Sequence, residues 1–167
     1  MNRHIVVILH NIRSTHNVGS IIRTAEALGL TQLIFSGYTP FPKYATDTRL
    51  PHIANKLDVQ INKTALGAQN YIDWEVWTDS IDTLLSKLRC ENFQILALEQ
   101  HKHSIDLKSY LPEQKIALIL GSEVTGVDAS ILKQCDQILE IALPGKKESL
   151  NVAQAAAIAF YKLSILP

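Results

Sequence analysis

Asn17 and Arg23, in Asn17-Val-Gly-Ser-Ile-Ile-Arg23-Thr, open a set of three motifs in a fixed order. The second is Leu120-Gly121-Ser122-Glu123-Val-Thr-Gly126, and the third is Pro144-Gly-Lys-Lys-Glu-Ser149-Leu150-Asn151. Arg23 brings a permanent charge and a forked donor set that matches a phosphate. Asn17, Glu123, Ser149 and Asn151 bring polar donors and acceptors. Gly121 lets a ligand reach the backbone, because no Cβ intervenes. The chain contains no GxGxxG and no GxxxxGK[ST], so neither a dinucleotide fold nor a P-loop is supported. Each motif alone also has an ordinary reading. Arg23 pairs with Glu26 on a helix surface, Gly121 marks a tight turn, and Asn17, Ser149 and Asn151 cap helices.

The elements between the motifs must carry them to one place. Ile5-Val-Val-Ile-Leu9 is an apolar, β-branched run, the pattern of a strand buried on both faces. Val18, Ile21, Ile22, Ala25 and Leu28 then recur at helical spacing, with Gly29 as the stop. Strands are predicted over Gln32–Ser36, Tyr71–Trp77, Phe93–Leu98, Lys115–Leu120 and Gln137–Leu143. Helices are predicted near Ile61–Ala68, over Ile81–Leu88 behind an Asp79 or Ser80 cap, and over Asp128–Gln134 and Leu150–Leu163. Gly37–Leu57, with three prolines and the aromatics Tyr38, Phe41 and Tyr44, reads as one long irregular loop. Alternating strands and helices predict an α/β fold, a mostly parallel sheet flanked by helices. Each motif follows a predicted strand, where open α/β sheets bind ligands.

The bulk numbers narrow the partners. A chain of 167 residues, 47% apolar and 19% charged, suits a single globular domain over residues 1–167. Lys+Arg and Asp+Glu both total 16, so any nucleic acid must meet a local basic patch. Arg13, His16, Arg23, Lys43, Arg49, Lys146 and Lys147 are the candidates. Tyr38, Phe41 and Tyr44 either stack unpaired bases or pack on a partner subunit, and packing is the preferred reading. Cys90 and Cys135 form no zinc or disulfide pattern and are expected to be buried thiols. His101-Lys-His103 lacks further ligands at a recognisable spacing, so no metal is expected. No stretch has the length of a signal peptide or membrane span, which predicts a cytoplasmic protein without a membrane partner.

From His4 to Tyr161 the order and spacing of these motifs resemble the SPOUT superfamily, in particular the SpoU/TrmH-type RNA 2'-O-ribose methyltransferases. Ser149-Leu-Asn151 opening an alanine-rich helix is the most specific part of the likeness. The resemblance implies methyl transfer from S-adenosylmethionine to a ribose 2'-hydroxyl of tRNA or rRNA. It implies a C-terminal trefoil knot, an exception to the un-knotted rule, and a homodimer with active sites near the subunit interface. It assigns Leu98, Gly121, Ile141, Leu143 and Leu150 to the cofactor, and Asn17, Arg23, Glu123, Ser149 and Asn151 to catalysis. Tyr38-Thr-Pro, Lys63-Thr-Ala-Leu-Gly-Ala and Ala97-Leu-Glu-Gln also resemble stretches of members acting on tRNA or rRNA. No separate RNA-recognition extension is expected, so recognition falls to the core dimer or a helper protein. The alternatives are a non-catalytic RNA-binding module, a SPOUT enzyme methylating a base nitrogen, and a small α/β nucleotide-binding protein.

Overall fold

The structure is a computed structural model that describes residues 3–166. Among the described residues, seven strands form one sheet: β1 (His4–His10), β2 (Gln32–Ser36), β3 (Asp73–Trp77), β4 (Gln94–Leu98), β5 (Ile105–Asp106), β6 (Lys115–Leu120) and β7 (Gln137–Glu140). The α-helices that flank it are α1 (Thr15–Ala27), α2 (Pro51–Ala65), α3 (Ile81–Cys90), α4 (Ala129–Leu132) and α5 (Val152–Ser164). Every strand pairing is parallel, in the order β3-β2-β1-β6-β4-β7-β5. The sheet is therefore α/β in kind, with all strand carboxyl ends on one edge.

Side-chain alternation divides the strands between two cores. Val7, Leu9, Leu33, Phe35, Leu96 and Leu118 face the layer built with α1, α2 and α5. Val6, Ile8, Ile34, Ile95, Ala97 and Ile119 face the layer containing α3 and α4. Residues Ile5 to Leu9 are at most 1% exposed, so the continuous apolar run marks a strand covered on both faces.

β1, β2 and β3 step outward in one direction, whereas β6 lies between β1 and β4. The order thus reverses at the β1/β6 pair, and a crevice opens beside such a reversal. Gly19 is what allows α1 to lie close to α2. A Cβ there would collide with the Thr64 hydroxyl and the Ile61 carbonyl oxygen, and Thr64 Oγ1 donates to the His16 carbonyl at 2.9 Å.

Several expected boundaries shift. The Gly37–Leu57 loop ends early, because α2 starts at Pro51, where the missing N–H costs nothing at a helix start. A single 3-10 turn, Ala68–Asn70, follows it. β3 begins at Asp73 and β7 stops at Glu140, leaving Ile141–Leu143 in a loop. The two-residue β5 was not expected; it is too short to carry a periodic pattern. Cys90 is exposed on the last turn of α3, contrary to the buried reading, while Cys135 is half-buried with its thiol pushed up to about 11, chiefly by that burial. Among the described residues no helix is long and apolar enough to cross a membrane.

Candidate active site

The carboxyl ends of β4, β6 and β7 surround a cleft of about 550 Å³. Leu98, Leu120, Ile141, Leu143 and Leu150 give it apolar walls, and Ser122, Glu123, Thr125, Ser149 and Asn151 give it polar edges. One wall is a tight hairpin in which the Ser122 and Gly126 backbones exchange hydrogen bonds of 3.0 and 2.9 Å. A Cβ on Gly121 would strike the Gly126 carbonyl, so this hairpin closes only on glycine. Glu99 Oε2 accepts from Val127 N–H at 2.8 Å and so fixes the far end of the hairpin. Gln100 Nε2 donates to the Glu148 carbonyl at 2.7 Å, tying the β4 loop to the segment before α5.

A polar chain runs along the cleft mouth. Glu123 accepts from the backbone N–H groups of Arg13 and Ser14, at 2.8 and 3.1 Å, and from Asn17 Nδ2 at 2.8 Å. Asn17 Oδ1 accepts from Asn151 Nδ2 at 3.0 Å, and Asn151 Oδ1 accepts from Ala153 N–H at 2.9 Å. The carboxylate is acceptor-only, so Asn17 turns its NH₂ toward Glu123 and its carbonyl toward Asn151. Asn151 is left with its own carbonyl for the first turn of α5. A single ionised group thereby orients both amides and joins the N-terminal ends of two helices. Burial pushes the Glu123 carboxyl upward, but the bonds from Arg13, Asn17 and Ser14, with its own backbone N–H, outweigh it. The net effect holds the group below its ordinary 4.5.

The N-cap of α1 is Ser14, whose hydroxyl accepts from Asn17 N–H at 3.3 Å. Asn17 lies in the first turn, free of capping duty, whereas Asn151 is the N-cap of α5. Arg23 stands apart from the polar chain. It is exposed on α1 and, among the described residues, has no hydrogen-bond or ion-pair partner, Glu26 included. Ser149 is exposed on the cleft edge.

A family model described as the SpoU rRNA Methylase family matches residues 4–161. The chain belongs to this family. It is 27% identical over 96% of its length to a 23S rRNA (guanosine-2'-O-)-methyltransferase of Xanthomonas axonopodis pv. citri, spanning 58% of that protein. It is 26% identical over 96% of its length to a tRNA (guanosine(18)-2'-O)-methyltransferase of Borreliella burgdorferi, spanning 66% of that protein. The chain thus covers roughly three fifths of these relatives. The SpoU methyltransferase AviRb of Streptomyces viridochromogenes, solved with AdoMet, superposes with a TM-score of 0.79 at 22% identity, over 98% of this chain and 60% of that one.

Within this SpoU chain, the cleft is lined by Leu98, Gly121, Ile141, Leu143 and Leu150 together with Glu123, Ser149 and Asn151. Asn17 joins them through hydrogen bonds, and Arg23 does not. Sequence reasoning missed Glu99, Gln100, Thr64 and Gly19, which hold the hairpin, the α5 approach and α1. Ala97-Leu-Glu-Gln and Lys63-Thr-Ala-Leu contain three of them, but nothing in their spacing reveals which backbone they meet. The basic set divides as well. Arg49 is spent on Asp47 at 2.5 Å and on the Phe41 and Pro42 carbonyls, and Lys43 Nζ donates to Asn55 at 2.9 Å. Phe41 and Tyr44 pack inside their own chain against Phe35 and Trp74. Tyr38 remains 59% exposed.

Proposed function

We propose that this chain transfers a methyl group from S-adenosylmethionine to a ribose 2'-hydroxyl of tRNA or rRNA. The observation that carries the reading is the Glu123–Asn17–Asn151 chain at the mouth of an apolar-walled cleft, with an unpaired arginine on the same helix as Asn17. The residues suit the cofactor. A volume of about 550 Å³ lies within the roughly 300–1,000 Å³ of small-molecule sites, and Gly121 exposes backbone beside leucine and isoleucine walls. Leu98, Gly121, Ile141, Leu143 and Leu150 would hold it. When bound, the cofactor supplies an electrophilic methyl group.

The chain's own residues then have separable tasks. Arg23, a permanently charged guanidinium, does not serve as a base, so the hydroxyl proton passes to solvent water; Arg23 grips the phosphate beside the target ribose and draws the hydroxyl into line. Asn151 and Ser149, at the start of α5, orient the hydroxyl where a helix N-terminus favours developing negative charge. Glu123 keeps Asn17 and Asn151 in one orientation. The family likeness also supports a cytoplasmic homodimer with a knotted C-terminal segment, with or without a helper protein. The exposed Ile158 and Tyr161 of α5, beside a groove of about 930 Å³, suit the dimer contact.

The test is transfer of labelled methyl to unmodified tRNA and to rRNA, with nuclease digestion to locate the label. Label in 2'-O-methyl nucleotides, reduced at least about 100-fold by Arg23→Ala, is the expected result, since one phosphate-positioning group is asked for about 2.7 kcal/mol. Label on a base nitrogen would replace the reading with the base-modifying one. RNA and cofactor binding without transfer would leave a binding module.

A further inference from the structure

A second cavity lies across the first turn of α1 from the cleft, at the carboxyl ends of β1 and β2. Its volume is about 560 Å³, and Arg13, Thr15, Tyr38, Pro40 and Gln60 are among its walls. The Arg13–Ser14 peptide separates the two sites: its N–H groups bind Glu123 on one side, while the Arg13 side chain borders the other.

The turn that presents Tyr38 is rigid. Gly37 has a φ of 64°, and Asn11 Oδ1 accepts from Tyr38 N–H at 3.2 Å. Thr39, 3% exposed, donates to the Leu9 carbonyl at 2.8 Å and accepts from Ile12 N–H at 3.0 Å. These bonds immobilise the backbone on both sides of an aromatic ring that is nonetheless 59% exposed. Folding gains little by holding a ring so firmly in water; binding gains from a surface that is already ordered. Arg13 and Gln60 add a guanidinium and an amide with no side-chain partner among the described residues. The first turn of α1 contains no acidic residue that would repel an anion. Arg49 and Asp47 neutralise one another at the edge, and Glu123 binds only the backbone N–H of Arg13, so the Arg13 guanidinium is left without a carboxylate partner among the described residues.

An aromatic face, a free guanidinium and an amide fit an unstacked base with its phosphate. We infer that this cavity is the subsite for a nucleotide flanking the methylated one, with the base stacked on Tyr38 and its phosphate on Arg13. The inference rests on the RNA reading above and deepens it. An RNA strand would cross the α1 turn from cleft to cavity, so the same peptide that anchors Glu123 spaces the target from its neighbour. Gln60 faces the base edge and gives the subsite its discrimination.

RNA substituted with 4-thiouridine, from unmodified tRNA and from rRNA transcripts, would be photo-crosslinked to the protein and the adducts mapped by mass spectrometry. This readout needs no methyl transfer. Adducts are expected on the peptide containing Tyr38. Tyr38→Ala should weaken RNA binding about tenfold, Tyr38→Phe should restore it, and Arg13→Ala should lower the salt dependence by about one phosphate contact. S-adenosylmethionine binding, measured by calorimetry, should be unchanged in all three variants. RNA that binds normally in Tyr38→Ala, or crosslinks only elsewhere, overturns the subsite. Failure of the wild type to bind S-adenosylmethionine, with the Tyr38 adduct present, would sink the methyltransferase reading and leave the cavity standing as a nucleotide subsite only. No RNA binding at all would overturn the subsite.

Discussion

Glu123 has more to do than its position in a glycine-rich loop suggests. It binds two backbone N–H groups and one side-chain amide from residues more than a hundred positions away. Those bonds favour the ionised form, so the folded state releases this proton more readily than the unfolded chain does. The resulting stability is fully present above the ordinary value of 4.5 and is lost as pH falls through the lower folded value. Glu123→Gln should therefore show a flatter decline of Tm with acidification than the wild type, along with a lower Tm at neutral pH. Thermal melts from pH 7 to pH 3 would check this, and parallel curves would show that Glu123 contributes no acid sensitivity. The residue type was legible in the sequence, whereas its partners were not, because periodicity says nothing about which loop will meet which helix end. Asn17 illustrates the same limit: it looked equally like a cap and a site residue, and only the position of Ser14 separates the two roles.

α1 carries Asn17 and Arg23, so its placement sets the site. Its contact with α2 depends on Gly19, where an added methyl would meet a backbone carbonyl that cannot swing aside. Gly19→Ala should destabilise the fold by about 1–3 kcal/mol and move the first turn of α1 away from Asn151. A calorimetric melt would show the loss, and an unchanged Tm would mean that the helices separate without cost. Thr64→Val, which keeps the volume but loses the bond to His16, tests the same contact by a gentler route. The strands were the most legible elements, because residues buried on both faces write continuous apolar runs such as Ile5–Leu9 and Ile116–Leu120. The start of α2 was not. Pro51 reads as a breaker when counted with Pro40 and Pro42, and as a helix start only once its position is known. The single-strand pattern likewise cannot report β5, whose two residues gain their identity from pairing with β7.

The molecule as a whole has no net charge, so any nucleic-acid surface must be local. Arg13, His16, Lys146 and Lys147 are exposed on segments that follow strand carboxyl ends, Arg23 is exposed farther along α1, and Arg49 and Lys43 are engaged elsewhere. Beyond the cleft, α5 exposes Ile158 at 45% and Tyr161 at 50%, and its C-cap Ile165 is 56% exposed. An apolar face of this kind marks an interaction surface, and the homodimer proposed above would cover it. Ile158→Glu with Tyr161→Glu should shift the mass measured by light scattering from dimer to monomer. A wild type that is monomeric across micromolar concentrations would remove the dimer from the account.

The strand order has one further effect, on time rather than on shape. β1 pairs with β2 soon after it, but its other edge is filled by β6, which begins at Lys115. At about 5–20 residues per second of synthesis, that edge would stay open for roughly 5–20 s after β1 is made. An unpaired, apolar strand edge is where chains join one another. Its exposure would end only when β6 slots between β1 and β4, and distant pairings of this kind form slowly. The residues of β6 close that edge and, immediately after it, supply Gly121 and Glu123. The step that makes the nascent chain safe from aggregation is also the step that delivers the two residues on which the cleft depends.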